Sequence, residues 1–207
     1  MKTCPIMLNV NGRTAVVVGA GKVGLRKARA LRAAGANVRL IAGEGEDIDA
    51  PGEGMEVIRQ RYRGEHAAGA TLVLACTDDS KLNARIADDA RRAGALVNVA
   101  DEPALCDFFL PATAEDGDVV VAVGTGGASP ALAAALRDRV ASSLPERIGK
   151  FAAALANARK QLMASVPNAG RRKQILRELA GDEAYSEFLA SGEAALNNRL
   201  KQLMRQR

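Results

Sequence analysis

Five residues of strand character, Thr14-Ala15-Val16-Val17-Val18, run directly into Gly19-Ala20-Gly21-Lys22-Val23-Gly24, and these run into Leu25 to Ala34, a segment of helical composition. A G-x-G-x-x-G turn set between a strand and a helix restricts a fold strongly, because that order is the one a dinucleotide site requires. The first two glycines let the chain turn tightly and bring bare backbone against a pyrophosphate. The phosphates then rest on the helix N-terminus, where free N–H groups and the helix dipole favour an anion. A dinucleotide such as NAD is the expected guest of Gly19, Gly21 and Gly24, and a merely structural turn is the competing reading.

The next segments extend the pattern. Ala36 to Ile41 reads as a second strand, with Gly35 suited to end the preceding helix. Met55 to Ile58, Thr71 to Ala75 and Ala95 to Val99 read as third, fourth and fifth strands, and Lys81 to Ala93 has helical composition. Continuous apolar strands alternating with helices imply a parallel sheet covered on both faces. After Pro111 the pattern changes: Asp118 to Val123 is a further strand, Gly124 to Ala128 a flexible loop, and Ser129-Pro130 a helix start with Ser as N-cap and Pro at the first helical position. From Ala131 the chain reads as several helices, broken near Pro145, Pro167 to Gly170, Gly181 and Gly192. The fold class is therefore α/β, a Rossmann-like parallel sheet followed by a small α+β segment and a C-terminal helical region. The expected divisions are residues 1–112, 113–145 and 146–207.

Composition narrows the functional classes. None of the apolar runs among the 207 residues approaches the ~20 needed to span a bilayer, and Met1 to Pro5 lacks the apolar stretch of a signal peptide, so a soluble, cytoplasmic protein without a membrane partner is expected. Cys4, Cys76 and Cys106 have no metal-type spacing, and their odd number fits a reducing compartment. His66 is the only histidine, which excludes a multi-histidine zinc site; it is expected at the surface. The net charge of +5 favours an anionic partner. Arg171-Arg172-Lys173 and Arg199 to Arg207 read as solvated helical faces, and with no Trp and two Tyr there is little to stack on bases, so no nucleic-acid partner is expected.

Several polar residues fall where chemistry is expected. Glu44 lies about 20 residues beyond the last glycine, the usual separation for an acid on the adenine ribose, and slightly past the second strand, so a loop carboxylate facing water is equally consistent. Arg39 reads as a surface residue more than as a reader of a 2′-phosphate, which favours NAD over NADP. Thr77-Asp78-Asp79 follows the fourth strand, at the sheet edge where open α/β folds bind ligands, and equally suits a helix cap. Asp101 ends the fifth strand at the same edge, where it can act as a general base or attract a metal ion, with a simple turn as the bland alternative. Gly124 to Ser129 can present backbone donors to an anion or serve only as a helix-entry loop.

Taken together, Pro5-Ile6-Met7-Leu8, VVVGAGKVGLRKARALRAAGA, LACTDDSKLN, VNVADEPALCDFFLPA and VAVGTGGASPALA resemble the precorrin-2 dehydrogenase/sirohydrochlorin ferrochelatase family, whose module also forms the N-terminal part of sirohaem synthase. The likeness covers nearly the whole chain and is densest from Pro5 to about Leu144. It implies oxidation of precorrin-2 to sirohydrochlorin with NAD, and, as in many members, insertion of Fe²⁺ as a second substrate to give sirohaem. It further implies that Lys22 and Val23 contact the cofactor behind Gly19, Gly21 and Gly24, that Gly43 and Glu44 lie beside its adenosine part, and that Thr77 belongs to the same site. Asp101 matches the family's active-site aspartate. Ser129, with Gly126 and Gly127, matches a loop near the tetrapyrrole pocket. Family members are homodimers, which makes Asp118 to Leu144 the expected dimerisation element. Two departures stand out: Gly124-Thr125 and Ala128 replace more hydroxyl-rich versions of the loop, and no methyltransferase domain is expected within these 207 residues. No protein metal cage is implied, since the pigment's own nitrogens provide most of the iron coordination. An NAD-sensing regulatory or ligand-binding Rossmann module is the alternative; it has no need of Asp101 beside the nicotinamide.

Overall fold

The valine-rich runs of the first half pair as five parallel strands because each is apolar on both faces and can be buried only between two helical layers. The computed structural model describes residues 3–43, 48 and 54–205, in two compact units, Lys2–Leu110 and Pro111–Arg207. In the first, β1 (Thr14–Val18), α1 (Lys22–Ala33), β2 (Asn37–Ala42), β3 (Glu56–Arg59), β4 (Leu72–Ala75), α2 (Ser80–Arg92) and β5 (Leu96–Val99) give a sheet of order β3-β2-β1-β4-β5. All pairings are parallel, with Val18 opposite Ile41 on one side and Ala75 on the other. The order reverses between β1 and β4, which is where a doubly wound sheet opens a ligand crevice at the carboxyl ends of its strands.

The two-residue period of a strand distributes the core. Ala15, Val17, Leu40 and Leu74 pack with Leu25, Ala28 and Leu31 of α1. Val16, Val18, Val73 and Val97 pack with Ile86, Ala87 and Ala90 of α2. Glycine ends α1: Gly35 has φ +87°, and Ala36 N–H donates to Leu31 O at 3.0 Å. Asp79 caps α2, its carboxylate accepting from Lys81 N–H at 2.9 Å and Leu82 N–H at 3.1 Å. Two short 3₁₀ turns, Gly64–Ala67 and Pro103–Leu105, complete the unit. His66, expected at the surface, is half-buried in the first of them. Its Nδ1 accepts from Arg63 N–H at 3.1 Å and its ring stands edge-on to Tyr62.

The second unit opens with an antiparallel hairpin, β6 (Ala112–Asp116) and β7 (Val119–Val123), turning at Gly117 with φ +56°. Sequence pattern gives β7 and misses β6, because Ala-Thr-Ala-Glu-Asp has little strand propensity of its own and is held extended by its valine-rich partner. Five helices follow: α3 (Pro130–Ser142), α4 (Ile148–Ser165), α5 (Ala169–Leu179), α6 (Asp182–Ser191) and α7 (Glu193–Arg205). Phe151, Leu162, Ile175, Leu179, Phe188, Leu196 and Leu200 form the core of the last four. The arginine cluster proves to be structural. Arg172 donates to Val166 O at 2.8 Å and Pro167 O at 2.7 Å, and Arg171 to Leu203 O at 2.8 Å, so guanidinium groups satisfy the carbonyls that end α4 and α7. The expected solvated face is corrected for Arg171 and Arg172, while Lys173 is exposed as expected. Among the described residues no helix is long and apolar enough to cross a membrane.

The hairpin is joined to α4 by backbone proximity. Asp116 Oδ2 accepts from Gly149 N–H at 2.9 Å, capping a helix whose own N-cap, Arg147, sits at φ +58° without a side-chain cap. A Cβ on Gly149 would overlap the Asp116 carbonyl. Gly149→Ala is therefore expected to destabilise this unit by about 1–3 kcal/mol through overpacking. An unchanged urea midpoint would contradict the close approach of α4 to β6.

Candidate functional site

The glycine turn leaves β1 at the point of strand-order reversal. Gly19 N–H donates to Ile41 O at 2.9 Å and Cys76 N–H donates to Val18 O at 2.8 Å, so β1 is bonded to both neighbours up to its last residue. Gly19 then adopts φ +101°, and a Cβ there would overlap the Cys76 carbonyl. Gly24 is equally constrained, since its Cβ would overlap the Gly19 carbonyl, and this lets α1 begin flush against the turn. Gly21 differs. Its φ is −66° and a Cβ would meet nothing within 4 Å. Packing thus demands glycine at the first and third positions, while at the second the space in front of the backbone is open, as an approaching pyrophosphate requires. The chain fits a dinucleotide on this ground.

The start of α1 is suited to an anion. Its N-cap is Gly21, which offers no side-chain acceptor, and its first turn contains no acid. Lys22, Val23 and Arg26 are exposed on that turn. Gly43 follows β2, and Thr77 follows β4, so the two flank β1 at the same sheet edge. Thr77 is tied down by a residue that sequence reading passed over. The buried Asn83 accepts from Thr77 N–H at 3.2 Å and from its hydroxyl at 2.8 Å, and returns an amide bond to Thr77 O at 2.8 Å. Glu44 lies outside the described residues. Arg39 is half-buried, with Nε 3.2 Å from Glu56 Oε2.

Asp101 stands two strands from the glycine turn, about 10 Å at the usual strand spacing of ~4.8 Å. It is exposed and has φ +60°, one of two non-glycine residues in left-handed backbone among those described. The loop that carries it is closed by three polar residues with no sequence signal of their own. Asp107 N–H donates to Val97 O at 2.8 Å while its carboxylate accepts from Val97 N–H at 3.0 Å and pairs with Arg91 at 3.0 Å. The Cys106 sulfur accepts from Val99 N–H at 3.2 Å, and its thiol donates to Val99 O at 3.3 Å. Buried Asn98 donates to Phe108 O at 2.9 Å and accepts from Lys27 Nζ at 2.6 Å. Cys76 is half-buried at the end of β4. Burial pushes its thiol above the usual range, Lys27 and Arg26 draw it down, and Asp101 pushes it up again.

Gly126, Gly127 and Ser129 belong to the other unit. Gly126 and Gly127 have φ of +61° and +86°. Ser129 caps α3, its hydroxyl oxygen accepting from Leu132 N–H at 3.2 Å, and Ser129 N–H donates to the Thr125 hydroxyl at 3.2 Å. A serine hydroxyl used in this way keeps its own hydrogen for a further acceptor. Among the described residues no three His, Cys, Asp or Glu side chains gather where they could hold a metal ion.

Comparison with known proteins adds three findings. Residues 6–112 match a family described as "Putative NAD(P)-binding". The "Siroheme synthase" of Pseudomonas fluorescens (strain SBW25) is 35% identical over 199 residues, covering 94% of this chain and 43% of that protein; that of Methylococcus capsulatus (strain Bath) is 38% identical over 198 residues, covering 94% and 41%. The chain spans less than half the length of these curated relatives. Among solved structures, "SirC, precorrin-2 dehydrogenase" superposes with a TM-score of 0.77 over 97% of this chain and 100% of that one, a likeness of fold at 19% identity.

The three glycines separate packing from binding. Gly19→Ala is expected to cost about 1–3 kcal/mol of stability through a strained backbone. Gly21→Val should fold and raise the dissociation constant for NAD at least tenfold, about 1.4 kcal/mol. Calorimetric titration of a folded Gly21→Val variant that still binds like the parent would remove the pyrophosphate from this turn.

Proposed function

Because the chain belongs to the NAD(P)-binding family matched over residues 6–112, we propose that it oxidises precorrin-2 to sirohydrochlorin with NAD in sirohaem biosynthesis. The observation that carries the reading is Asp101: an exposed carboxylate in left-handed backbone, on the same sheet edge as a glycine turn open at Gly21. A charged side chain kept in such backbone by a well-bonded loop is what a site that needs a carboxylate at a fixed point retains. Likeness to siroheme synthases over 94% of the chain supports the tetrapyrrole substrate.

In this reading Gly19, Gly21, Lys22, Val23 and Gly24 bind the dinucleotide, with Gly43, Glu44 and Thr77 at its flanks, and Asp101 removes a proton from the tetrapyrrole. NAD held by these residues would supply the two-electron acceptor for a hydride from a ring carbon. One hydride and one proton leave precorrin-2, which balances its conversion to sirohydrochlorin. Gly126, Gly127 and Ser129 offer hydrogen-bond donors to substrate carboxylates, and Lys22 and Arg26 add positive charge at the sheet edge. Ferrous iron is a second substrate, coordinated mainly by the pigment's nitrogens; its insertion releases two pyrrole protons, one accepted by Asp101 and the other passing to solvent. The working divisions are 1–112 for the cofactor, 113–145 for subunit contact and 146–207 as a helical C-terminal domain. The setting is cytoplasmic.

Asp101→Asn is the direct test, because Asn tolerates left-handed backbone and removes only the base. NAD affinity should stay constant while the dehydrogenation rate, followed as NADH formation with precorrin-2, falls about 10²–10⁴-fold. A near-parental rate would withdraw Asp101 from the chemistry. Iron insertion into sirohydrochlorin, measured in parallel, should fall with it if one carboxylate serves both steps.

Homodimerisation through Asp118 to Leu144 is supported by α3. Leu132, Leu136 and Val140, at four-residue spacing, form one apolar stripe and are 50%, 37% and 41% exposed. Leu136→Glu should yield a folded monomer in sedimentation at micromolar concentration, where the parent sediments as a dimer. A monomeric parent would refute the contact.

A further inference from the structure

We propose that Lys27 is a positioning residue, holding the Asp101 loop at a fixed distance from the dinucleotide turn by way of the buried Asn98. The inference rests on the reading of Asp101 as the base.

Lys27 lies on α1, the helix at whose first turn the proposed reading places the pyrophosphate. Asn98 lies on β5, three residues before Asp101, and is only 5% exposed. The ammonium donates to Asn98 Oδ1 at 2.6 Å, and the Asn98 amide donates to Phe108 O at 2.9 Å, at the far end of the Asp101 loop. One continuous run of hydrogen bonds therefore joins the cofactor helix, the strand that carries the base and the segment that closes its loop. Cys76 supplies an independent mark of convergence, since Lys27 and Asp101 both act on this one thiol.

Stability alone does not call for such a pair. Helix α1 is already fixed by Leu25, Ala28 and Leu31. Withdrawing a lysine and an asparagine from water carries a cost that only good hydrogen bonds offset, and well-packed apolar residues would seat a helix on a sheet as firmly. A charge-assisted bond adds direction and length. Transfer of a hydride and a proton needs the two acceptors at set positions about one substrate, and a shift of about 1 Å is enough to cost on the order of 10²-fold in rate. The Lys27–Asn98–Phe108 run sets that separation.

The experiment uses the full chain and four variants: Lys27→Met, Lys27→Arg, Asp101→Asn and the double variant Lys27→Met/Asp101→Asn. NAD affinity, and kcat and KM for precorrin-2, are measured for each. Lys27→Met should bind NAD within about threefold of the parent and hold KM, while kcat falls tenfold or more. Lys27→Arg, which can still donate to Asn98, should recover most of the rate. Since Lys27 acts through Asp101, the double variant should be no slower than Asp101→Asn alone. A parental kcat in Lys27→Met, or losses that multiply in the double variant, would overturn the proposal while leaving Asp101 in place. Near-parental turnover in Asp101→Asn would instead remove the base, and the positioning role with it. If Lys27→Met does not fold, Asn98→Asp provides the same test, because it keeps an acceptor for Lys27 and loses the donor to Phe108; a parental kcat there is equally fatal.

Discussion

Backbone meets backbone without an intervening side chain where β1, β4 and α1 converge, and the rest of the first unit is arranged around that contact. Gly19 lies against the Cys76 carbonyl, and Gly24 against the Gly19 carbonyl, too closely for any Cβ. This proximity starts α1 immediately after the strand and aims its uncapped N-terminus into the crevice formed by the reversal of strand order. The open space at Gly21 has value only because its two neighbours have none.

Much of this was legible in the chain because two periodicities were clean. Thr14 to Val18 and Leu72 to Ala75 are apolar without interruption, α2 shows the spacing of a one-sided helix, and Pro, Gly and Asn mark the ends of the C-terminal helices where they occur. The resemblance read from the linked motifs agrees with the identities of 35% and 38% to two siroheme synthases. Strand β6 was illegible for the reason that makes sheets less local than helices: its five residues are extended because Val119 to Val123 lies opposite, not by their own preference. His66 is half-buried in a four-residue 3₁₀ turn with its ring edge-on to Tyr62, a placement that leaves no periodic signal in the sequence.

The polar framework was hidden for another reason. Asn83, Asn98, Asp107 and Cys106 act by returning the chain to itself over 6, 10, 10 and 7 residues, and single residues at such distances leave no repeat in a sequence. They share a pattern once the fold is known. Asn83 fixes the loop at the carboxyl end of β4, and the other three fix the chain that returns along β5, the edge strand, whose outward N–H and C=O groups have no ladder partner. A buried amide can serve both kinds of group at once, as Asn83 does for Thr77, so the loops after these strands gain definite shapes without being long. The same economy of partners explains the second unit, where Arg171 and Arg172 complete helix ends and Asp116 caps a helix 33 residues away. Two guanidinium groups of the Arg171–Lys173 cluster are thus engaged by backbone carbonyls, while Lys173 beside them stays exposed.

Asp101 differs from these framework residues in what it lacks. Asn83, Asn98 and Asp107 each have a hydrogen-bonded place, and their removal would leave backbone groups unpaired. Asp101 is exposed, and its left-handed backbone is maintained by bonds that its neighbours make, from Ala100 N–H to Ala75 O and from Cys106 and Asn98 to the strand and the returning chain. A glycine would adopt φ +60° at less conformational cost, and an asparagine at about the same. The loop therefore bears a backbone cost for a carboxylate that does nothing to hold it together. Such an arrangement is stable only because the framework exceeds what the turn itself requires, and the excess keeps the Asp101 carboxylate exposed at the ligand edge of the sheet. On this argument the hydrogen-bonded residues that sequence reading overlooked and the carboxylate that it selected form one device: the first make rigid a position that the second occupies for reasons outside the fold.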